Sequence, residues 1–304
     1  MRLRHPSGRI VHLSCEITPA AASNLPAVVA QLDTYGAVRA RLGVDALGVC
    51  LWLPPPLAAA LAVESRARTR LRAELDARRL EVVTLSGAPF GEGGGETPAW
   101  TEPSRREYTL DLARILLDLL DEDAVRGNVS TIGLGAREGW GETQEKAAAG
   151  ILRRLSHGLA DLAWQNGRAV RVGFQPAPGC VLDSPEQTVA ALSRIDKDRL
   201  GVSLDLGHVA EHWDDPAAGI DTVTDAGLAI VEVRLTAVPG STTGAWRAGL
   251  DRLFGGQGPL TENLTLVGRA PGQPVEQIAG DLAYLLAELA ALGLAPENEP
   301  CPAR

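Results

Sequence analysis

Lysine is almost missing from this chain of 304 residues: Lys146 and Lys197 are the only two, and every other fixed positive side chain is arginine. The skew, with abundant alanine, glycine and leucine, reads as coding bias, yet it restricts chemistry, because an amine nucleophile would have to be one of these two residues. Cysteine is scarce as well. Cys15, Cys50, Cys180 and Cys301 lie far apart without a Cys-x-x-Cys pair, which argues for reduced thiols and against a disulfide framework or a structural zinc site. No apolar run reaches the roughly 18 residues that a membrane span requires. The basic start Met1-Arg2-Leu3-Arg4-His5 is not followed by an apolar signal core, so a cytoplasmic protein without membrane insertion is expected. Positive charge is in deficit. With 38 acidic against 29 basic residues the net charge is −9, which argues against nucleic acid or an anionic membrane as partner.

What is present is a regular alternation of short β-type runs and helical periodicity. The runs are Ile10–Cys15, Leu47–Leu53, Glu81–Ser86, Val129–Gly133, Val170–Pro176, Leu200–Asp205, Ile230–Leu235 and Leu264–Gly268. Between them lie segments with helix signals. Ser104-Arg105-Arg106-Glu107 and Ser184-Pro185-Glu186-Gln187 read as capping boxes, Asp215-Pro216 as a cap followed by proline, and Asn166-Gly167 as a left-handed stop. Eight strand–helix units predict an α/β fold of the (β/α)₈ TIM-barrel type, one domain over residues 1–304. A doubly wound open sheet is the rival, but Glu16-Ile17-Thr18-Pro19-Ala20 after the first strand holds no glycine. The glycine-rich connection 87–101 is long enough to serve as a lid over the barrel mouth, with Trp100 as its apolar anchor. Residues 295–304 read as a short tail.

Strand side chains alternate between two faces. In the fifth run Arg171, Gly173 and Gln175 share one parity. Gly201, Ser203 and Asp205 do so in the sixth, and Glu232, Arg234 and Thr236 in the seventh. The intervening apolar residues suit the helical layer, which turns the polar set into the barrel. Buried charges must pair or meet a wet cavity. For Arg171 and Glu232 an ion pair low in the barrel is one such solution. Gln175, Asp205 and Arg234 stand at carboxyl ends of strands, where barrel sites are built. His208 follows Asp205 closely enough for both to reach the pocket. In the first strand His12, Ser14 and Glu16 share a parity, and Glu16 stands at the strand end. His157, His212 and Trp213 read as structural.

Several stretches are familiar together. Leu200-Gly201-Val202-Ser203-Leu204-Asp205-Leu206-Gly207-His208 resembles the strand of xylose-isomerase-like TIM barrels, of the sugar phosphate isomerase/epimerase type, that carries an Asp ligand followed by a His. More closely, the chain resembles the metabolite-traffic subfamily of Ebo-type gene clusters. The matching stretches are His12-Leu13-Ser14, Ser86-Gly87-Ala88-Pro89-Phe90-Gly91, Tyr108-Thr109-Leu110-Asp111-Leu112-Ala113, Ser130-Thr131 and Gln175-Pro176-Ala177-Pro178-Gly179-Cys180. Metal-dependent members hold a divalent cation with Glu, Asp, His and Glu from four successive strand ends. Here the resemblance places Gln175 at the first, Asp205 at the second and Arg234 at the third, while Leu264-Thr265-Leu266-Val267-Gly268 offers no carboxylate. An amide and a guanidinium are poor partners for Mg²⁺ or Mn²⁺. No metal and no cofactor are therefore expected, and Arg234 is expected to take the cation's place and pair with Asp205.

These readings lead to an expected function. It is a metal-independent barrel enzyme of specialised metabolism, moving a proton next to a carbonyl of a small oxygen-rich metabolite. Asp205 or Glu16 is the expected base, His208 its partner, and Arg234 with Gln175 the stabilisers of negative charge. Glu232, His12 and Trp100 are expected to contact substrate. The placement of Lys146 and Lys197 in helical or inter-element segments, off the strand ends, argues against a Schiff-base aldolase. A non-catalytic escort protein that keeps the pocket for a metabolite is the alternative, and self-association is left open.

Overall fold

All eight β-type runs become strands. The computed structural model describes residues 1–17, 24–87, 98–235, 245–268 and 272–297. A short strand β1 (Arg2–Arg4) precedes the barrel strands β2 (Ile10–Ile17), β3 (Leu47–Trp52), β4 (Leu80–Ser86), β5 (Arg126–Ile132), β6 (Ala169–Gln175), β7 (Leu200–Asp205), β8 (Ile230–Leu235) and β9 (Asn263–Leu266). Each barrel strand pairs in parallel with the next, and β9 returns to pair in parallel with β2. Closing the sheet leaves the barrel no free edge. Around it lie α1 (Leu25–Leu42), α2 (Pro55–Val63), α3 (Ser65–Ala77), α4 (Pro103–Leu119), α5 (Glu142–Asn166), α6 (Pro185–Leu192), α7 (Leu206–His212), α8 (Pro216–Asp225), α9 (Ala245–Phe254) and α10 (Val275–Ala291). The last strand, β10 (Ala295–Pro296), pairs antiparallel with β1, which pairs antiparallel with β2. Neither short strand has a periodic signal, and the stretch read as a tail therefore begins with paired backbone. Most of the expected lid, residues 88–97, lies outside the described residues, as does Thr236.

The parity argument holds in three dimensions. Arg234 on β8 bonds to Ser130 on β5, and Thr84 on β4 bonds to Glu232 on β8. Strands that are not neighbours can exchange such bonds only across the lumen. The polar parity therefore fills the barrel, while Val172, Phe174, Val202, Leu204, Val233 and Leu235 of the other parity are buried in the apolar core. Among the described residues no helix is long and apolar enough to cross a membrane.

One helix signal is corrected. Helix α4 begins at Pro103 with Glu102 as its cap and no side-chain cap bond, because proline's fixed φ suits the first helical position and starts the helix one residue before Ser104 can cap it. The second box is real: the Gln187 backbone amide donates to Ser184 Oγ (3.3 Å) and the Ser184 amide donates to Gln187 Oε1 (3.2 Å). Ser184→Ala should thus lose about 1 kcal/mol of stability in urea titration. Ser104→Ala should stay within about 0.5 kcal/mol of the parent, the range of neutral surface changes. Equal losses would refute the assignment of the two caps.

Candidate active site

A buried cluster of charged side chains lies near the carboxyl ends of β2 and β8. There Arg234 Nη2 donates to Glu16 Oε1 at 2.6 Å, and its Nη1 donates to Ser130 Oγ at 3.4 Å and stands 3.9 Å from Glu232 Oε1. All four residues are buried. Glu232, one layer deeper, accepts from the Thr265 hydroxyl at 2.5 Å, from Thr84 at 3.2 Å and from Ser203 at 3.5 Å. Thr84 in turn accepts from Asn128 Nδ2 at 2.8 Å. Three charges out of water are tolerable because they are paired and hydrogen-bonded; a lone one would cost several kcal/mol. Burial alone would lower the Arg234 pKa, but the Glu16 and Glu232 carboxylates outweigh it and raise it, so the guanidinium is a fixed cation. Burial raises the Glu232 carboxyl above its ordinary value, against the pull of Arg234 and Thr265. The same burial, reinforced by both carboxylates, keeps Cys50 a thiol.

The structure brings some of the anticipated residues together and separates others. Arg234, Glu16 and Glu232 form one cluster. Asp205 neighbours Arg234 in the strand register, yet among the described residues no ion pair joins them. Helix α7 starts at the next residue, so Asp205 becomes its cap and its Oδ1 accepts from the Gly207 amide at 2.8 Å. Its other oxygen has no bond to a described residue. His208, on α7, does not bond to Asp205 either. Its Nε2 lies 3.1 Å from the Asp183 carbonyl and 3.9 Å from the Asp183 carboxylate, its Nδ1 is buried without a partner, and its ring stacks on His212. Gln175, at the end of β6, keeps Oε1 buried and unpartnered.

Three residues are not brought into this group. His12 lies toward the opposite end of β2, four residues or about 13 Å from Glu16 at the strand rise; burial, then the amino terminus and Arg2, lower its pKa to about 4. Trp100 is fully buried edge-on against Phe174, ring centroids 5.2 Å apart. It packs in the core, with its indole N–H unpartnered. Arg171 forms no ion pair with Glu232. It sits at the amino ends of the strands, where its Nη2 donates to the Lys197 carbonyl at 3.2 Å.

Sequence reasoning also passed over contributors. Ser130, Thr84 and Thr265 share the inward parity, a signal available in principle, but small hydroxyls do not stand out without a charged neighbour. In the sequence Arg105 stands only within a capping-box pattern. Its buried Nη2 donates to the Gly87 carbonyl at 2.6 Å and to Thr131 Oγ1 at 2.7 Å, tying the start of the long connection to the end of β5. Burial lowers its pKa to about 10.

A model of the xylose isomerase-like TIM barrels matches residues 37–252, more than half of the chain. The protein belongs to that family. No curated protein is significantly similar to it in sequence. Among solved structures this xylose isomerase-like barrel is similar to 3-keto-D-glucoside 4-epimerase of E. coli, with 12% identity, a TM-score of 0.61, and coverage of 91% of this chain and 99% of the other. It is also similar to a D-psicose 3-epimerase solved in the presence of D-fructose, at 12% identity, TM-score 0.64 and coverage of 91% and 99%. A family 2 AP endonuclease from Brucella melitensis matches at 17% identity, TM-score 0.62 and coverage of 91% and 98%. At such identities the likeness establishes the shared fold.

Barrels of this family are expected to hold a divalent cation at the strand ends, and the donor set here does not fit one. Gln175 presents a neutral amide oxygen, and Arg234 presents a guanidinium whose nitrogens donate to Glu16 and Ser130. A protonated guanidinium has no lone pair to give a metal, so neither position supplies an anionic or imidazole donor. Among the described residues no three His, Cys, Asp or Glu side chains gather closely enough to bind a metal.

Proposed function

We propose that this chain is a metal-independent isomerase or epimerase of a small polyhydroxylated carbonyl compound, such as a ketose or a close derivative. We place it in specialised metabolism, in the metabolite-traffic branch found in Ebo-type gene clusters. It works as a single barrel domain in the cytoplasm, without membrane or nucleic-acid partner. The Arg234–Glu16 pair carries the reading. Held by Glu16, the permanently protonated Arg234 guanidinium stands near the mouth of a sugar-isomerase-type barrel, where the negative charge of an enediolate oxygen would develop.

In this reading Asp205 removes the proton from the carbon next to the carbonyl and returns it to the adjacent carbon, while the hydroxyl proton passes to the carbonyl oxygen; inversion of the original carbon would need a second acid on its opposite face. Its free oxygen and half-buried position at the mouth support that role. The field of Arg234, held in place by Glu16 and Glu232, stabilises the charge left on oxygen. The unpartnered Gln175 Oε1 accepts a bond from a substrate hydroxyl, and His208 orients the adjoining part of the pocket. The net charge of −9 supports a small-molecule substrate over DNA.

The first test is chemical. Purified protein, treated with chelator and dialysed, is incubated with a panel of free ketoses, aldoses and keto-glycosides, and the products are separated by chromatography. Conversion should persist without metal, and elemental analysis should show far less than one Mn, Zn or Mg per chain. Stoichiometric metal whose removal abolishes conversion would refute the reading.

A further inference from the structure

At the end of the barrel opposite the candidate active site, the structure contains a cleft of about 90 Å³. Its charged lining is Arg9, Arg126, Arg171 and Glu262, with Asn128 and Thr261 among its polar groups. Three guanidiniums thus face one carboxylate in a protein whose net charge is −9. Arg126 holds Glu262 in a fork, Nε to Oε2 and Nη2 to Oε1, both at 3.0 Å, and Arg9 Nη2 donates to the same Oε1 at 2.8 Å. Glu262 is therefore already shared between two arginines. Arg171 has only a backbone carbonyl as hydrogen-bond acceptor and, among the described residues, no carboxylate within ion-pair distance. It is half-buried on β6, with its Nε out of contact with water and unpartnered. Burial, and then the charge of Arg126, lower its pKa. A half-buried cation with a like charge beside it is a costly arrangement, and the Glu262 and Asp198 carboxylates, neither within ion-pair distance, offset it only in part.

Donor groups remain available. Arg126 leaves its Nη1 unused by Glu262, and Thr261, which accepts from the Asn263 amide at 3.3 Å, keeps its hydroxyl proton to give. Planar guanidinium forks match the oxygens of phosphate. The cleft's volume suits one tetrahedral oxyanion and is too small for a nucleotide.

We infer that this cleft is a second ligand site, which binds a phosphate group between Arg171 and Arg126. The group comes either from inorganic phosphate or from the phosphoryl end of a small monoester whose remainder projects into solvent. Occupancy would give Arg171 its missing counter-charge and stabilise the amino-terminal face of the barrel.

Calorimetric titration at constant ionic strength, with inorganic phosphate and separately with glycerol phosphate, tests the proposal. One saturable site per chain is expected, with dissociation on the order of millimolar or tighter. Arg171→Gln should weaken it by about tenfold or more, as loss of a charge-assisted bond implies. Arg126→Gln, at an exposed side chain, should weaken it too and serves as the readout if Arg171→Gln does not fold. Tighter binding of the monoester identifies a metabolite phosphoryl group as the ligand; binding of inorganic phosphate alone identifies the free ion. No saturable binding of either compound, or unchanged affinity in the variants, overturns the proposal.

Discussion

Replacing Arg234 by leucine is expected to destabilise the barrel by about 3–5 kcal/mol near neutral pH, the loss seen when one member of a buried ion pair is removed. The side chain of Arg234 is the counter-charge for both Glu16 and Glu232, and neither carboxylate has another basic group within ion-pair distance among the described residues. The loss should depend on pH in a definite direction. Burial already raises the Glu232 carboxyl above its ordinary value, and Arg234 is the largest influence holding that rise down. In the variant the folded-state pKa must rise further. A raised carboxyl pKa means the folded state binds the proton more tightly than the unfolded state does. The variant is therefore most stable, relative to the parent, below the unfolded carboxyl value, and loses that advantage as pH rises through the folded value. Urea titrations of parent and variant between about pH 4 and pH 8, spanning the carboxyl range, should show the gap widening toward neutrality. A gap of under about 1 kcal/mol at neutral pH would mean that the pair is not an energetic unit.

Asp205→Asn should leave stability nearly untouched and cost turnover about 10²-fold or more. Asparagine caps helices as well as aspartate does, so the bond from the Gly207 amide and the start of α7 survive the change. What disappears is the proton acceptor. In steady-state kinetics on whichever sugar the panel identifies, kcat should fall while KM moves little. An escort protein would lose only modest affinity from the same substitution. Unchanged turnover would place the base elsewhere, and Glu16 is then the next residue to change.

The barrel was legible in the sequence because strand burial leaves a period-two record. The bounds of β7 and β8 follow directly from it, and the polar parity of Ser203, Glu232 and Arg234 alone places them in the lumen. Pairing within the lumen was less legible. Asp205 and Arg234 do stand opposite each other in register, so an ion pair between them was a reasonable expectation. It fails for a local reason: α7 begins immediately and captures the Asp205 carboxylate as its cap. Arg234 instead meets Glu16, 218 positions away in sequence, a neighbour created only when β9 closes onto β2. The partner of His208 was hidden for a similar reason. Asp183 lies in the connection between β6 and α6, where strand parity carries no information.

This barrel is expected to move a proton at a carbon next to a carbonyl without a metal. The most direct measurement is proton NMR of the panel sugars incubated in D₂O with chelator-treated protein, followed at the carbon beside the carbonyl. Deuterium should enter that position in at least one sugar, at a rate that added Mn²⁺ or Mg²⁺ does not raise, and should enter about a hundredfold more slowly with Asp205→Asn. Exchange that appears only when metal is supplied, or that proceeds equally fast in the variant, would contradict this expectation.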